Sequence, residues 1–408
     1  MKNNISVLRI ASTFCLSGFM LFGCSDDNAG SSEQAPESGF SIGATEVNTR
    51  GGVGDLYWPN LYIDVAAHGS GQPARLFIDS ASSTTGICPG QTTNAEPTGR
   101  SCCNVYGNVG AQEGFSGLQH VGELTMGSGS DTISVMDQSF CMMQLEDMWS
   151  CLPDRNGEAL DGIIGFGPYA AGNGVWDRPP VSMSQMEDSG IVDSCLGFGA
   201  PADRPTPFVL SLFNEFEKGQ YGLYWSGEFG DSTGRLYVGD EATSNEHFIN
   251  RNVQFARMPN SQAEPSLWNL YIVKYRLTLT QVGDGSTSSV DVAGPPGQVD
   301  STDAAEKVLV NPGMDTGQPM VYVPQDVYEA GISLIGSLTP DDYELQLDIE
   351  LLGVDGGENV ILSLDLKEFQ AKNRIEVSSG PPSLGLYLMY VYPYIVFDLE
   401  NNRIGFGS

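Results

Sequence analysis

Positive charge is what this chain has least of. Its 408 residues hold 19 Lys and Arg against 51 Asp and Glu, with 3 His, for a net charge of −32. So acidic a surface repels the nucleic-acid backbone and anionic lipid headgroups, which argues against a nucleic-acid partner. His68, His120 and His247 are scattered, none stands in a nucleophile–base pattern, and paired CxxC units are missing, so neither histidine catalysis nor a zinc site is expected. No metal or cofactor is expected. A phosphate-binding loop, a heptad repeat and any long 3.6-period stretch are missing too. Cysteine is absent from the whole second half, which must therefore hold itself by packing alone.

What is present points to strands. Gly (50) and Pro (23) are plentiful, and turn signals separate short alternating runs. Residues 343–351 put Leu345, Leu347, Ile349 and Leu351 on one face. Residues 270–279 do the same with Tyr271, Val273, Tyr275, Leu277 and Leu279. A hairpin is expected from 121–126 and 132–136 across Gly127-Ser128-Gly129-Ser130. Helices are expected only over 181–189 and as a short turn near 325–330, and 201–207 and 284–303 read as surface loops. The reading is all-β in two lobes, 51–245 and 246–408, with a junction around 240–255.

The N-terminus reads as an export signal. Lys2 and Arg9 precede an apolar run to Gly23 that is too short and wrongly flanked for a membrane span. Leu21-Phe22-Gly23-Cys24 looks like a bacterial lipobox, predicting cleavage after residue 23 and lipidation of Cys24. Residues 24–50 then read as a Ser/Gly/acid-rich tether. Ser25 after the lipid-bearing Cys favours the outer membrane, on its periplasmic side or at the cell surface. An ordinary signal peptide with an incidental Cys is the plainer alternative. Six cysteines remain for the folded part: Cys88, Cys102, Cys103, Cys141, Cys151 and Cys195. An even number in an exported chain reads as three disulfides. Cys141–Cys151 is a plausible local bridge, Cys88 is expected to meet Cys102 or Cys103, and Cys195 takes whichever partner is left.

Two short acidic motifs carry the chemistry. Leu76-Phe77-Ile78-Asp79-Ser80-Ala81-Ser82 and Met314-Asp315-Thr316-Gly317 each end an apolar strand on an Asp, then place a hydroxyl and a small residue. Burying one carboxylate is costly, and burying two that face each other is costlier. Such a pair shares one proton over a wide pH range, so one member acts as base and the other as acid on a single water. Taken alone, each tripeptide is more often a turn or loop cap.

Together the motifs resemble those of pepsin-like aspartic proteases. Supporting landmarks follow in family order: the hairpin Tyr62–Val65 to Ala74–Asp79, then Asp161-Gly162-Ile163-Ile164-Gly165-Phe166-Gly167, Leu236–Asp240, Ser383-Leu384-Gly385, and Tyr394–Asp398 with Asn401–Gly407. The resemblance spans residues 56–408. It implies a bilobal fold of two β-barrel-like lobes with the active-site cleft between them. It implies catalytic Asp79 and Asp315, supported by Ser80, Ala81, Ser82, Thr316 and Gly317. Ser80 and Thr316 would send their hydroxyls across to the opposite strand, and Ser82 would reach the outer oxygen of Asp79. Tyr106-Gly107 is the candidate flap tip, with Ser116-Gly117 on its return strand. The implied activity is peptide-bond hydrolysis at acidic pH by a monomer, with a peptide or protein substrate in the cleft. Ala81, Gln318 and Leu386 stand where the family has Gly, a hydroxyl residue and Asp. Those departures motivate a rival reading, a protein of the same fold that binds a peptide or glycan without cutting. A surface lipoprotein with a vestigial cleft and a two-carboxylate glycosidase are more distant alternatives.

Overall fold

The computed structural model describes residues 39–48, 57–106, 113–128, 131–147, 151, 160–168, 173–178, 180, 201–225, 234–259, 268–300, 311–372, 374–378 and 382–408. The expected signal, Cys24, residues 181–189 and Cys195 lie outside them. The described chain is mostly strand, as the turn-separated alternation predicts.

The first strands are β1 (Phe40–Asn48), β2 (Tyr57–Ala67), β3 (Ala74–Asp79), β4 (Gly86–Ile87), β5 (Pro97–Tyr106) and β6 (Glu113–Ser128). β7 (Asp131–Asp147), β8 (Gly162–Gly165), β9 (Asn173–Trp176), β10 (Gln220–Trp225) and β11 (Gly234–Val238) follow. They join β12 (Val253–Arg257), β21 (Tyr394–Asp398) and β22 (Arg403–Gly407) in one continuous hydrogen-bonded order, β12-β22-β21-β10-β11-β1-β2-β3-β8-β4-β7-β6-β5-β9. β1 makes the crossing: Phe40–Ile42 pair with β11, and Gly43–Asn48 with β2. A four-stranded sheet, β14-β13-β17-β18, uses Thr287–Ala293, Ile272–Gln281, Tyr343–Leu351 and Val360–Asp365. Another, β15-β20-β16-β19, uses Gly313–Asp315, Ser383–Gly385, Val321–Val323 and Ile375–Val377. Helices are few and short: α1 (Phe208–Phe213), α2 (Glu246–Ile249), α3 (Gln325–Ile335) and α4 (Leu366–Ala371). Among the described residues no helix is long and apolar enough to cross a membrane.

Several local expectations change. The tether does not reach residue 50, because Phe40–Asn48 is strand, with Ile42 buried and Phe40 packed on the core. The expected hairpin exists but is far longer, running the length of β6 and β7. In β17 the alternation is as read, with every second residue buried. In β13 a bulge between Ile272 and Lys274 shifts the phase, so Ile272 is buried and Val273 exposed. Residues 284–303 contain β14, an edge strand whose side chains are largely exposed and therefore polar, so it reads like a loop. The turn near 325–330 is an eleven-residue helix, α3.

The disulfides also differ. Cys88 joins Cys151 and Cys102 joins Cys141. The expected Cys141–Cys151 bridge and the Cys88 link to Cys102 or Cys103 are therefore not made. Cys103 is disulfide-bonded as well. Neighbouring residues of a strand face opposite ways, so Cys102 and Cys103 serve different sides of β5. Sequence distance carries no information about which strands those sides meet.

Candidate active site

β3 and β15 each deliver an Asp from a buried apolar strand. Leu76, Phe77 and Ile78 precede Asp79, and Met314 precedes Asp315, all of them buried. The surroundings follow one plan. β3 runs parallel to β8 with Asp79 opposite Gly165, and β15 runs parallel to β20 with Asp315 opposite Gly385. β4 lies antiparallel to β8 and parallel to β7, just as β16 lies antiparallel to β20 and parallel to β19. Both closing glycines are required by close approach. A methyl on Gly165 would strike the Ser82 carbonyl, and one on Gly385 the carbonyls of Met320 and Gln318.

Four buried hydrogen bonds then stitch the motifs together across 234 to 238 positions of sequence. Thr316 Oγ1 accepts from the Ser80 N–H at 2.9 Å and donates to the Ile78 carbonyl at 2.9 Å. Ser80 Oγ accepts from the Thr316 N–H at 2.9 Å and donates to the Met314 carbonyl at 3.0 Å. Each hydroxyl thus gives and accepts one bond, which leaves neither strand end with an unpaired polar group.

The grip sets the two carboxyls close enough for each to bear on the other's ionisation. Gly317 is part of that fit: a methyl there would fall 2.6 Å from Asp79 Cγ. Asp79 Oδ1 accepts from the Ala81 and Ser82 N–H groups at 2.8 and 3.2 Å, and Asp315 Oδ1 from the Gly317 N–H at 2.9 Å. Burial is the main force on both groups. It pushes Asp79 up to about 6 against the opposing pull of its backbone N–H donors and the Asp315 hydrogen bond. Asp315 keeps some surface open, yet enclosure by protein, followed by the charge of Asp79, raises it well above the carboxylate range. One proton shared between two carboxyls is the expected state over a wide range.

Ser82 sits beside Asp79, with its backbone N–H making the contact to the carboxyl. Its hydroxyl accepts from Asn104 Nδ2 at 3.3 Å. Asn104 lies on β5, two residues before Tyr106, so the β5–β6 hairpin is tied directly to the Asp79 motif. Tyr106 closes β5 opposite Glu113, and Ser116 and Gly117 lie on the return strand, opposite Cys103 and Cys102. Gly107 falls outside the described residues. The histidines stay apart from the pair; His120 is buried with its ring on the Ala95 carbonyl at 2.8 Å.

Two residues here, Asn104 and Trp268, were not singled out from sequence, and Ser383 was read only as part of the Ser383-Leu384-Gly385 landmark. Ser383 Oγ donates to Gln318 Oε1 at 2.7 Å. Trp268 is a strut between the half-sites. Its carbonyl takes the Met314 N–H at 2.9 Å, its indole N–H donates to the Phe166 carbonyl at 2.9 Å, and the Phe166 N–H donates to the Asp79 carbonyl at 2.7 Å. Tyr221 packs edge-on against both Trp268 and Phe166, completing an apolar floor whose phenol is pushed up by burial and by the Asp79 charge. A buried Trp flanked by residues of no clear period gives no sequence signal for such a role.

Elsewhere, α3, α4 and β19 enclose an open apolar pocket of about 360 Å³ lined by Val327, Ile332, Leu347 and Ile375, with Glu376 its one carboxylate. It lacks the paired groups that chemistry on a bond requires. Among the described residues no His, Cys, Asp and Glu cluster could hold a metal ion. No protein-family profile matches this chain, and no curated protein matches it either.

Proposed function

We propose that the chain is an aspartic endopeptidase of the pepsin-like kind, with Asp79 and Asp315 acting on one water molecule. The observation that carries this is the Asp79–Asp315 contact, held by the reciprocal Ser80–Thr316 bonds. A structural carboxylate has no need of a second one beside it, which raises the cost of ionising either. Catalysis uses that cost. The ionised member takes a proton from water as the oxygen adds to the peptide carbonyl carbon, and the protonated member gives its proton to the carbonyl oxygen. The resulting gem-diol collapses as one member gives its proton to the amide nitrogen, which leaves as the amine, while the other takes a proton from a gem-diol hydroxyl, restoring one shared proton.

In this reading the two Asp-bearing units are the cores of two lobes, and the substrate lies extended between them beneath the β5–β6 hairpin. The protein is exported as a monomer and anchored through lipid on Cys24 to the outer membrane. Incubation with a peptide library between about pH 3 and 8, alongside Asp79→Asn and Asp315→Asn, tests it. Cleavage abolished by either substitution, and blocked by pepstatin, supports the reading. Folded protein with no more activity than the variants at every pH would sink it in favour of the binding alternative.

A further inference from the structure

The plan shared by the two half-sites runs one strand further in the first than in the second. In the first, β4 pairs with β7 and the far edge of β7 pairs with β6, so that Cys141 stands opposite Gly86 on one side and Gln119 on the other. In the second, β16 pairs with β19, with Ile375 opposite Val321, and among the described residues the sheet ends at β19. The ladder to β16 uses alternate residues of β19. The Arg374 carbonyl takes the Val321 N–H at 2.9 Å, and the Ser378 N–H donates to the Val323 carbonyl at 2.8 Å. A parallel ladder of that phase also turns Glu376 toward β16, so Ile375 and Val377 turn their N–H and carbonyl groups to the outer edge. Among the described residues no hydrogen bond meets those groups there. A strand edge left open is a template for another extended chain.

That edge opens on the apolar pocket between α3 and α4. Ile375, Glu376 and Val377 all border it. Successive strand residues face opposite ways, so three in a row border one space only where the strand meets it along its edge. Another wall is α3, and its Gly331 does not serve the helix, where Gly is a poor choice. Its φ is not positive, and a methyl on it would meet only Leu277 Cδ1, at 3.8 Å, an ordinary contact. What the missing side chain does provide is room in the pocket, beside exposed Tyr328 and Ile332. Charge around the mouth is one-sided. Glu376 is exposed, while Lys372 and Arg374 both turn to Glu368, at 2.6 and 3.7 Å.

We propose that the open edge of β19 and the Gly331 pocket together bind an extended peptide segment, with a large aliphatic side chain in the pocket and basic residues on either side of it. The segment adds as a strand antiparallel to β19, as β6 does to β7. Its backbone meets Ile375 and Val377, and the pocket selects its side chain. The residues flanking the aliphatic one point to the opposite face, which is that of Glu376, so bases there meet its carboxylate. The site uses neither Asp79 nor Asp315 and does not depend on whether that pair cuts peptides.

The test uses the full chain carrying Asp79→Asn, so that no peptide is cut, and the blocked peptide Thr-Val-Lys-Leu-Lys-Val-Thr. Calorimetry measures affinity, and hydrogen exchange is followed at the Ile375 and Val377 amides. Saturable binding that slows exchange at both amides is expected. Gly331→Leu fills the pocket, and Val377→Pro removes an outward N–H while leaving the ladder to β16 whole. Each should weaken binding about tenfold or more, as should Ser for the central Leu of the peptide or Glu for both of its Lys. Urea unfolding checks that both variants fold, and the peptide changes decide the matter if one does not. No binding up to about millimolar peptide, or binding that ignores all four changes, overturns the proposal. So does binding lost with Gly331→Leu but kept with Val377→Pro, which would make the pocket a site for a lone apolar group. Slow exchange at both amides before peptide is added also overturns it, because the edge is then covered by the chain itself or, if only at high protein concentration, by a second copy.

Discussion

Replacing Asp79 by Asn removes an ionisable group from the floor of the site while keeping its shape. The Asn carbonyl can still accept from the Ala81 and Ser82 N–H groups, and its amide can donate to Asp315. What disappears is the cost of ionising a buried carboxyl. In the wild type the native state holds this proton up to about 6, whereas the unfolded chain releases it near 3.8. Between those values the native state binds more protons, so stability falls as pH rises, and above about 6 the loss stays constant. About two pKa units at 1.36 kcal/mol each make the loss about 3 kcal/mol. Urea unfolding with the disulfides intact, at steps between about pH 4 and 7, measures it. The other acids titrate alike in both proteins, so the difference curve isolates the pair. Asp79→Asn is expected to gain on wild type by about 3 kcal/mol across that range and to be the more stable protein at neutral pH. Parallel curves, or a less stable variant at neutral pH, would refute the claim that burial strains this carboxyl.

Gly317→Ala places a methyl against Asp79 Cγ and should cost on the order of a hundredfold in hydrolysis, read as kcat on a cleaved peptide. Ser80→Ala and Thr316→Val each strand buried backbone groups, at roughly 1–3 kcal/mol per group, and a double-mutant cycle on unfolding should show strong coupling between them. Joint replacement of Cys88 and Cys151 by Ser opens a 63-residue loop and should lower stability by roughly 4 kcal/mol. Non-reducing peptide mapping should recover Cys88–Cys151 and Cys102–Cys141 as linked pairs. Trp268→Phe leaves the Phe166 carbonyl without its indole donor and should cost about 1–3 kcal/mol by denaturant unfolding.

Sequence reasoning works here where chemistry is local. A strand that ends in Asp and a hydroxyl residue is visible in six residues, and the halves can be compared because each motif is contiguous. Alternation in β17 is equally local. Contacts set by the third dimension escape it. Asn104 meets Ser82 only because β5 folds over the Asp79 loop, and Ser383 meets Gln318 only because β20 runs beside β15. The disulfides fail for the same reason, since cysteines on β5 and β7 meet through sheet packing. The edge strand β14 fails for another: it buries too little on one face to show a period. In β13 a single bulged residue reverses the reading of Val273.

β10 lies between β11, its near neighbour in sequence, and β21, which begins at Tyr394. Residues 403–407 then close the edge by pairing with β12. During synthesis the floor beneath the carboxyls therefore waits for strands made long after Asp315 itself. Phe397, stacked on Tyr221 at 4.5 Å, is one of the pieces that arrive last. A nascent or interrupted chain would hold both acidic motifs as separate, solvated loops with ordinary carboxylates. The order of translation thus acts as a timer, and the floor beneath the carboxyl pair is incomplete until the strand that begins at Tyr394 has been made.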